Sequence, residues 1–171
     1  MKLQEESENN QRKLLMNILV IVAFAALMVF FIVRLYSNEP NLHRQFMLTL
    51  AEQFQRTVTN AHWQWQADGR PAMIMLVHYN DAYQETDRRP VKMAHFGWPK
   101  TEPTSEGCGK LWQMLLNLPL TVDGFRIIPE YYQGELVNNE PLNSRCRFRL
   151  STGAYFDYHI YSGNVDKAVQ N

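Results

Sequence analysis

The 171-residue chain has only two cysteines, no net charge and none of the short motifs that hold a phosphate, a metal ion or an activated nucleophile. Lysine plus arginine and aspartate plus glutamate each total 17, so no overall field draws the protein to nucleic acid or to acidic substrates. The balance is also local, since Lys2, Arg12 and Lys13 stand against Glu5, Glu6 and Glu8 in residues 1–13. A phosphate-cradling glycine loop, a His-Glu-x-x-His helix, a Gly-x-Ser-x-Gly elbow and an EF-hand loop are all missing. His43, His62, His78, His95 and His159 fall at spacings that match no ligand set. The sequence therefore nominates no catalytic residue, cofactor or metal site, and it reads as a non-enzymatic protein without a small-molecule ligand.

What is present begins with residues 14–33, where Asn17 is the only polar side chain. Twenty helical residues rise ~30 Å, the thickness of a bilayer's hydrocarbon core. A cleaved signal peptide has a shorter apolar core and a small-residue cleavage site, whereas Arg34-Leu35-Tyr36 follows here. A buried core helix would show a polar face, and this run is apolar all round. Residues 14–33 thus read as an uncleaved transmembrane helix.

Lys2, Arg12 and Lys13 before the span outnumber Arg34 and Arg44 after it, which favours a cytoplasmic tail over residues 1–13. The expected placement is a single-pass protein of a bacterial inner membrane with its C-terminal part in the periplasm. Cys108 and Cys146, both after the span, suit one disulfide in that oxidising compartment. Closing such a loop stabilises a fold by ~4 kcal/mol on the chain-entropy account. Two buried free thiols are the alternative.

Beyond the span, Ser37 and Asn38 are candidate helix N-caps, with Pro40 suited to a first turn. Leu42, Phe46, Leu50, Phe54, Val58, Ala61 and Trp65 recur every three or four residues, which predicts a long amphipathic spine helix ending by residue 66. Asp68-Gly69-Arg70-Pro71 closes it. A strand is predicted over 72–79, a polar loop over 80–90, a strand over 91–96 and a turn-rich stretch through Gly97, Pro103, Ser105, Gly107 and Gly109. Cys108, Leu111, Trp112, Leu115 and Leu118 mark a short helix stopped by Pro119. Strands are predicted over 125–128 and 131–137, followed by a loop over 138–141. Cys146, Phe148 and Leu150 alternate with Arg145, Arg147 and Arg149, and Phe156, Tyr158 and Ile160 alternate with Asp157 and His159. This period of two predicts a hairpin with the arginines opposite Asp157. Residues 164–171 read as a loose tail. The sum is an α+β fold: a membrane helix, a linker and spine over 34–66, and a small antiparallel sheet within an α+β domain over 67–163.

Two groups are candidate partner contacts. Trp63 and Trp65 stand near the end of the spine helix, where they would either anchor a partner or cap the core. Arg145, Arg147 and Arg149 would make an anion-binding ladder, although three alternating charges usually form a solvated sheet face.

This order of elements resembles a type IV pilin or pseudopilin. Gly97-Trp98-Pro99, Cys108 with Leu111-Trp112 and Leu115-Leu116, and Cys146-Arg147-Phe148 before a glycine-containing hairpin are similar to accessory proteins of the mannose-sensitive haemagglutinin (MSHA) pilus system. The likeness extends loosely over residues 14–163. The prepilin processing glycine and the glutamate at the fifth position of the apolar run are both missing from Arg12-Lys13-Leu14-Leu15-Met16-Asn17-Ile18. The resemblance therefore implies a pilin-like accessory protein that stays in the inner membrane and contacts pilins or other pilus assembly proteins. The rivals are a minor pilin or pseudopilin built into the filament, and a periplasmic ligand-sensing domain using the arginine face.

Overall fold

A run of side chains with no polar face has nothing to offer water, and the backbone in such a run satisfies its hydrogen bonds internally as a helix. Helix α1 spans Lys2–Tyr36. Within it lies the 24-residue stretch Arg12–Leu35, whose most apolar 18-residue window has a mean hydropathy of 2.9, none of it buried against protein, long and apolar enough to cross a membrane. The structure is a computed structural model and describes residues 2–36, 39–80, 82–122, 124–137 and 140–169. The proposed caps Ser37 and Asn38 lie outside the described residues. The chain divides into two units, residues 1–42 and 43–171.

The second unit is organised by helix α2, Glu39–Ala67. Met47, Leu50, Ala51, Phe54, Val58, Ala61 and Trp65 are buried, which is the predicted stripe widened by Met47 and Ala51. Leu42 is exposed. Past Ala67 the chain reverses, with Arg70 N donating to Trp65 O at 2.8 Å and both Gly69 and Arg70 at positive φ.

Two antiparallel strands follow, β1 at Met73–Tyr79 and β2 at Glu85–Lys92. The predicted loop over 80–90 is thus mostly strand, and the strand placed at 91–96 ends at Lys92, with only an isolated bridge from Met93 to Pro99 beyond it. Charged residues make this strand because β1 supplies the buried partners, Ile74 and Leu76, opposite Val91 and Arg89. Pro90 fits because it pairs with Met75. The Met75 carbonyl points away from β2 to accept from Gln64 Nε2 at 2.9 Å, so this pair exchanges no ladder bond and the missing N–H is not needed.

Helix α3, Ser105–Leu116, starts at Thr104, whose hydroxyl accepts from Gly107 N at 3.0 Å. Ser105, Gly107 and Gly109, predicted as turn residues, are helical. The helix runs so close to its neighbours that a Cβ on Gly107 would collide with the Glu102 carbonyl, and one on Gly109 would sit 3.3 Å from Pro129. The stop is Asn117, left-handed at φ 55° and donating to Gln113 O, two residues before Pro119. Leu118 therefore lies past the helix.

The main sheet is antiparallel, in the order β3-β4-β7-β8-β9. It comprises β3 (Thr121–Val122), β4 (Phe125–Tyr132), β7 (Arg145–Leu150), β8 (Tyr155–His159) and β9 (Val165–Val169), while β5 (Glu135–Val137) and β6 (Glu140–Leu142) pair separately. The two strands predicted at 125–128 and 131–137 are instead one strand through Pro129 and a separate short one. Glu140 and Pro141, predicted as loop, lie in β6, and the supposed tail supplies β9. Proline is tolerated inside β4 because that edge is closed residue by residue. Ile127 N donates to Leu120 O at 2.8 Å, Pro129 has no N–H, and Tyr131 N donates to Ser105 Oγ at 3.2 Å.

The hairpin β7–β8 sets the arginines against Asp157 as the alternation predicts, and its register places Arg147 opposite Asp157 and Phe148 opposite Phe156. Its inner face supplies Cys146, Phe148, Leu150, Phe156 and Tyr158, all fully buried. Phe54 of α2 packs with ring centroids 5.3 Å from Phe148 and 5.6 Å from Phe156, and Trp112 of α3 lies 5.1 Å from Phe148. One aromatic core thus joins both helices to the sheet. The Cys108–Cys146 disulfide, closing a separation of 38 residues, ties α3 to β7.

Candidate interaction surface

Alternation puts Arg145, Arg147 and Arg149 on the outer face of the sheet, and its neighbours meet them with opposite charge. Arg147 Nε and one terminal nitrogen donate to the two oxygens of Asp157, each at 2.8 Å. Arg145 Nε lies 3.1 Å from the same carboxylate, though the approach is too oblique for a hydrogen bond and leaves that nitrogen buried without one. Arg149 donates to Glu130 at 2.7 Å. Tyr155 and Tyr132 pack on the Arg147 guanidinium at 3.8 and 5.0 Å from their ring centroids.

The hydrogen bonds that Arg147 donates to Asp157, opposed by partial burial, hold Arg147 above the usual guanidinium range. The hydrogen bond from Arg149 holds Glu130 below the usual carboxylate range, against the opposing effect of burial and with further help from the Tyr132 hydroxyl. These arginines are occupied by the protein's own carboxylates and rings, so the face is a structural charge network. Arg145, Arg147 and Arg149 stand together as the alternation predicts, but not as an open anion ladder.

The two tryptophans separate. Trp65 is buried, donates its indole N–H to Pro71 O at 2.9 Å and carries Arg70 over its ring at 5.7 Å. His62 stacks between Trp65 and Trp98, at 5.7 and 4.1 Å between centroids, and meets Gly97 O through Nδ1 at 2.7 Å. A side chain on Gly97, at φ 87°, would run into the Trp65 ring. Trp65 therefore caps the core and is not available to a partner. Trp63, two residues earlier, lies about 160° away around the helix axis and is 63% exposed. It stands among Glu52, Arg56 and Asn60 on the outward side of α2, all exposed.

Comparison of the chain with protein-family models, with curated proteins and with solved structures found no match.

A second apolar surface escaped the sequence reading. Ile74 and Leu76 of β1 face the core, so Met73, Met75 and Tyr79 face out, each between 46% and 63% exposed. The turn beyond them is held by Asn80 Oδ1, which accepts from Ala82 N at 3.0 Å and Gln84 N at 2.9 Å. Tyr83 sits there at φ 56° and is 90% exposed, a conformation uncommon for a bulky residue. The available signal was a strand apolar on both faces: a two-stranded sheet with one covered side must leave the other bare. Among the described residues no three histidine, cysteine, aspartate or glutamate side chains are placed to hold a metal ion. His78 instead meets Met114 O at 2.9 Å and His159 meets Asp166 at 2.8 Å. What these surfaces offer is binding: an exposed indole on a polar helix face and a thioether- and phenol-bearing sheet face, both suited to protein contact.

Proposed function

We propose that the chain is a membrane-tethered, non-enzymatic interaction protein. Following its resemblance to accessory proteins of the MSHA system, we assign it to type IV pilus biogenesis, with a pilin-like unit in the periplasm that contacts pilins or assembly proteins. The observation that carries the reading is the solvent exposure of Trp63, Met73, Met75, Tyr79 and Tyr83 on a unit whose sheet-face arginines Arg147 and Arg149 are paired with its own carboxylates. Tryptophan and tyrosine are the side chains that most often anchor protein interfaces. The membrane-length helix before this unit would tether it to the bilayer, and the disulfide suits an oxidising compartment.

Deletion of the gene in a piliated strain tests the proposal. Surface pilin is expected to fall, to return with the wild-type gene, and to return less well with Trp63→Ala at equal protein level. Normal pili in the deletion strain would end the assembly role. Recovery of the protein in sheared pili with a trimmed N-terminus would make it a filament subunit instead.

A further inference from the structure

A spanning helix places every side chain between its ends in hydrocarbon, where an amide without a partner is costly. On the reading that α1 spans a bilayer, Asn17 meets that condition. It is the fourth residue of the apolar run over 14–33, about 4.5 Å along the axis from its start, and it is exposed on the helix surface. Its side chain is too short to reach water as a lysine would. A carbonyl one turn back can take one of its N–H groups, which leaves a second donor and the carbonyl oxygen.

The side chains that share its face define what fits there. Asn17, Ile21, Phe24, Met28, Phe31 and Leu35 follow one another at alternating steps of four and three, the a/d seam of a left-handed helix pair with Asn17 at a d position. Ile21, Phe24, Met28, Phe31 and Leu35 are all at least half exposed. A second copy of this chain inserts in the same direction and so carries its own Asn17 at the same depth. Because a primary amide both donates and accepts, two of them across a two-fold axis satisfy each other. A different helix would need a matching polar group at that one level.

We infer that α1 pairs in parallel with α1 of a second copy, in the plane of the membrane, through mutual hydrogen bonds between the Asn17 side chains. The pair would bring two copies of the second unit, and so two Trp63 side chains, into one assembly.

The test uses the full-length protein in bacterial inner membranes. An alkaline carbonate wash first establishes whether it is integral to the membrane, and release into the supernatant would overturn both the span and the pairing. In the retained protein, a single cysteine is introduced at Phe24→Cys on the seam or at Ala26→Cys on the opposite side, then oxidised in place. A cross-linked dimer is expected from Phe24→Cys and not from Ala26→Cys. Adding Asn17→Leu should weaken association roughly three- to twentyfold, the range of one interhelical polar contact, and Asn17→Gln should preserve it. Equal cross-linking at both positions, no loss with Asn17→Leu, or adducts only with another protein would each overturn the pairing while leaving the span intact. Retention of the Cys108–Cys146 disulfide in every variant confirms that the periplasmic unit has folded.

Discussion

Asp157 is buried on the outer face of β8, and both of its oxygens accept from Arg147 at 2.8 Å. A carboxylate removed from water in this way requires its cation, and with Arg145 beside it the same group faces two guanidinium groups. Breaking such a pair from one side leaves the other charge uncompensated.

Asp157→Asn should therefore destabilise the unit by about 3 kcal/mol. Urea unfolding followed by tryptophan fluorescence would show a lower midpoint with an unchanged slope. Arg149→Gln, at the more exposed pair with Glu130, should cost no more than about 1 kcal/mol. Equal effects at the two sites would contradict the burial argument.

The Cys108–Cys146 bond closes a 38-residue separation, so reduction should lower stability by about 4 kcal/mol. A maleimide reagent should label neither cysteine in unreduced, denatured protein and both after reductant. Labelling without reductant would remove the disulfide and weaken the case for a periplasmic location.

Burial pushes the Tyr158 phenol well above the ordinary tyrosine range, and its hydroxyl donates to Pro99 O at 2.8 Å. Because the folded state holds this proton more tightly than the unfolded chain, its contribution is complete below about pH 10 and declines as the pH rises past that value. In an ultraviolet titration one of the eight tyrosines should ionise only as the protein unfolds. Tyr158→Phe should remove that late step and cost roughly 1 kcal/mol for the lost hydrogen bond.

Trp63 and Trp65 should respond in opposite ways. Trp65→Ala opens a cavity beside His62 and should cost about 3–5 kcal/mol. Trp63→Ala should change stability by less than about 0.5 kcal/mol and reduce partner binding, measured by co-purification from detergent-solubilised membranes. A stable Trp65→Ala protein would place the anchor at the wrong tryptophan.

The elements legible in the sequence are those whose periodicity reports a single burial boundary. The α2 stripe from Phe46 to Trp65 and the β7–β8 alternation face one core each, so counting residues was enough. The displaced elements draw their reason from a partner strand or helix. Strand β2 reads as loop because its charges hide that Val91 pairs with Ile74, and α3 begins earlier than its glycines suggest because Gly109 lets it approach Pro129. Strand β9 has no core pattern of its own. Val165 N donates to Gln55 Oε1 at 2.8 Å and Val165 pairs with Tyr158, neighbours supplied by other segments.

The sequence by itself determined the membrane-length helix, the α+β class, the amphipathic spine and the hairpin that sets arginines against Asp157, since each follows from local hydrophobic period and charge. The tertiary structure decided which of two tryptophans, two residues apart, faces solvent, that the arginine face is closed by Asp157 and Glu130, and that Met73, Met75 and Tyr79 are left bare. Those outcomes depend on which surfaces other segments cover, and that is fixed only when the whole chain packs.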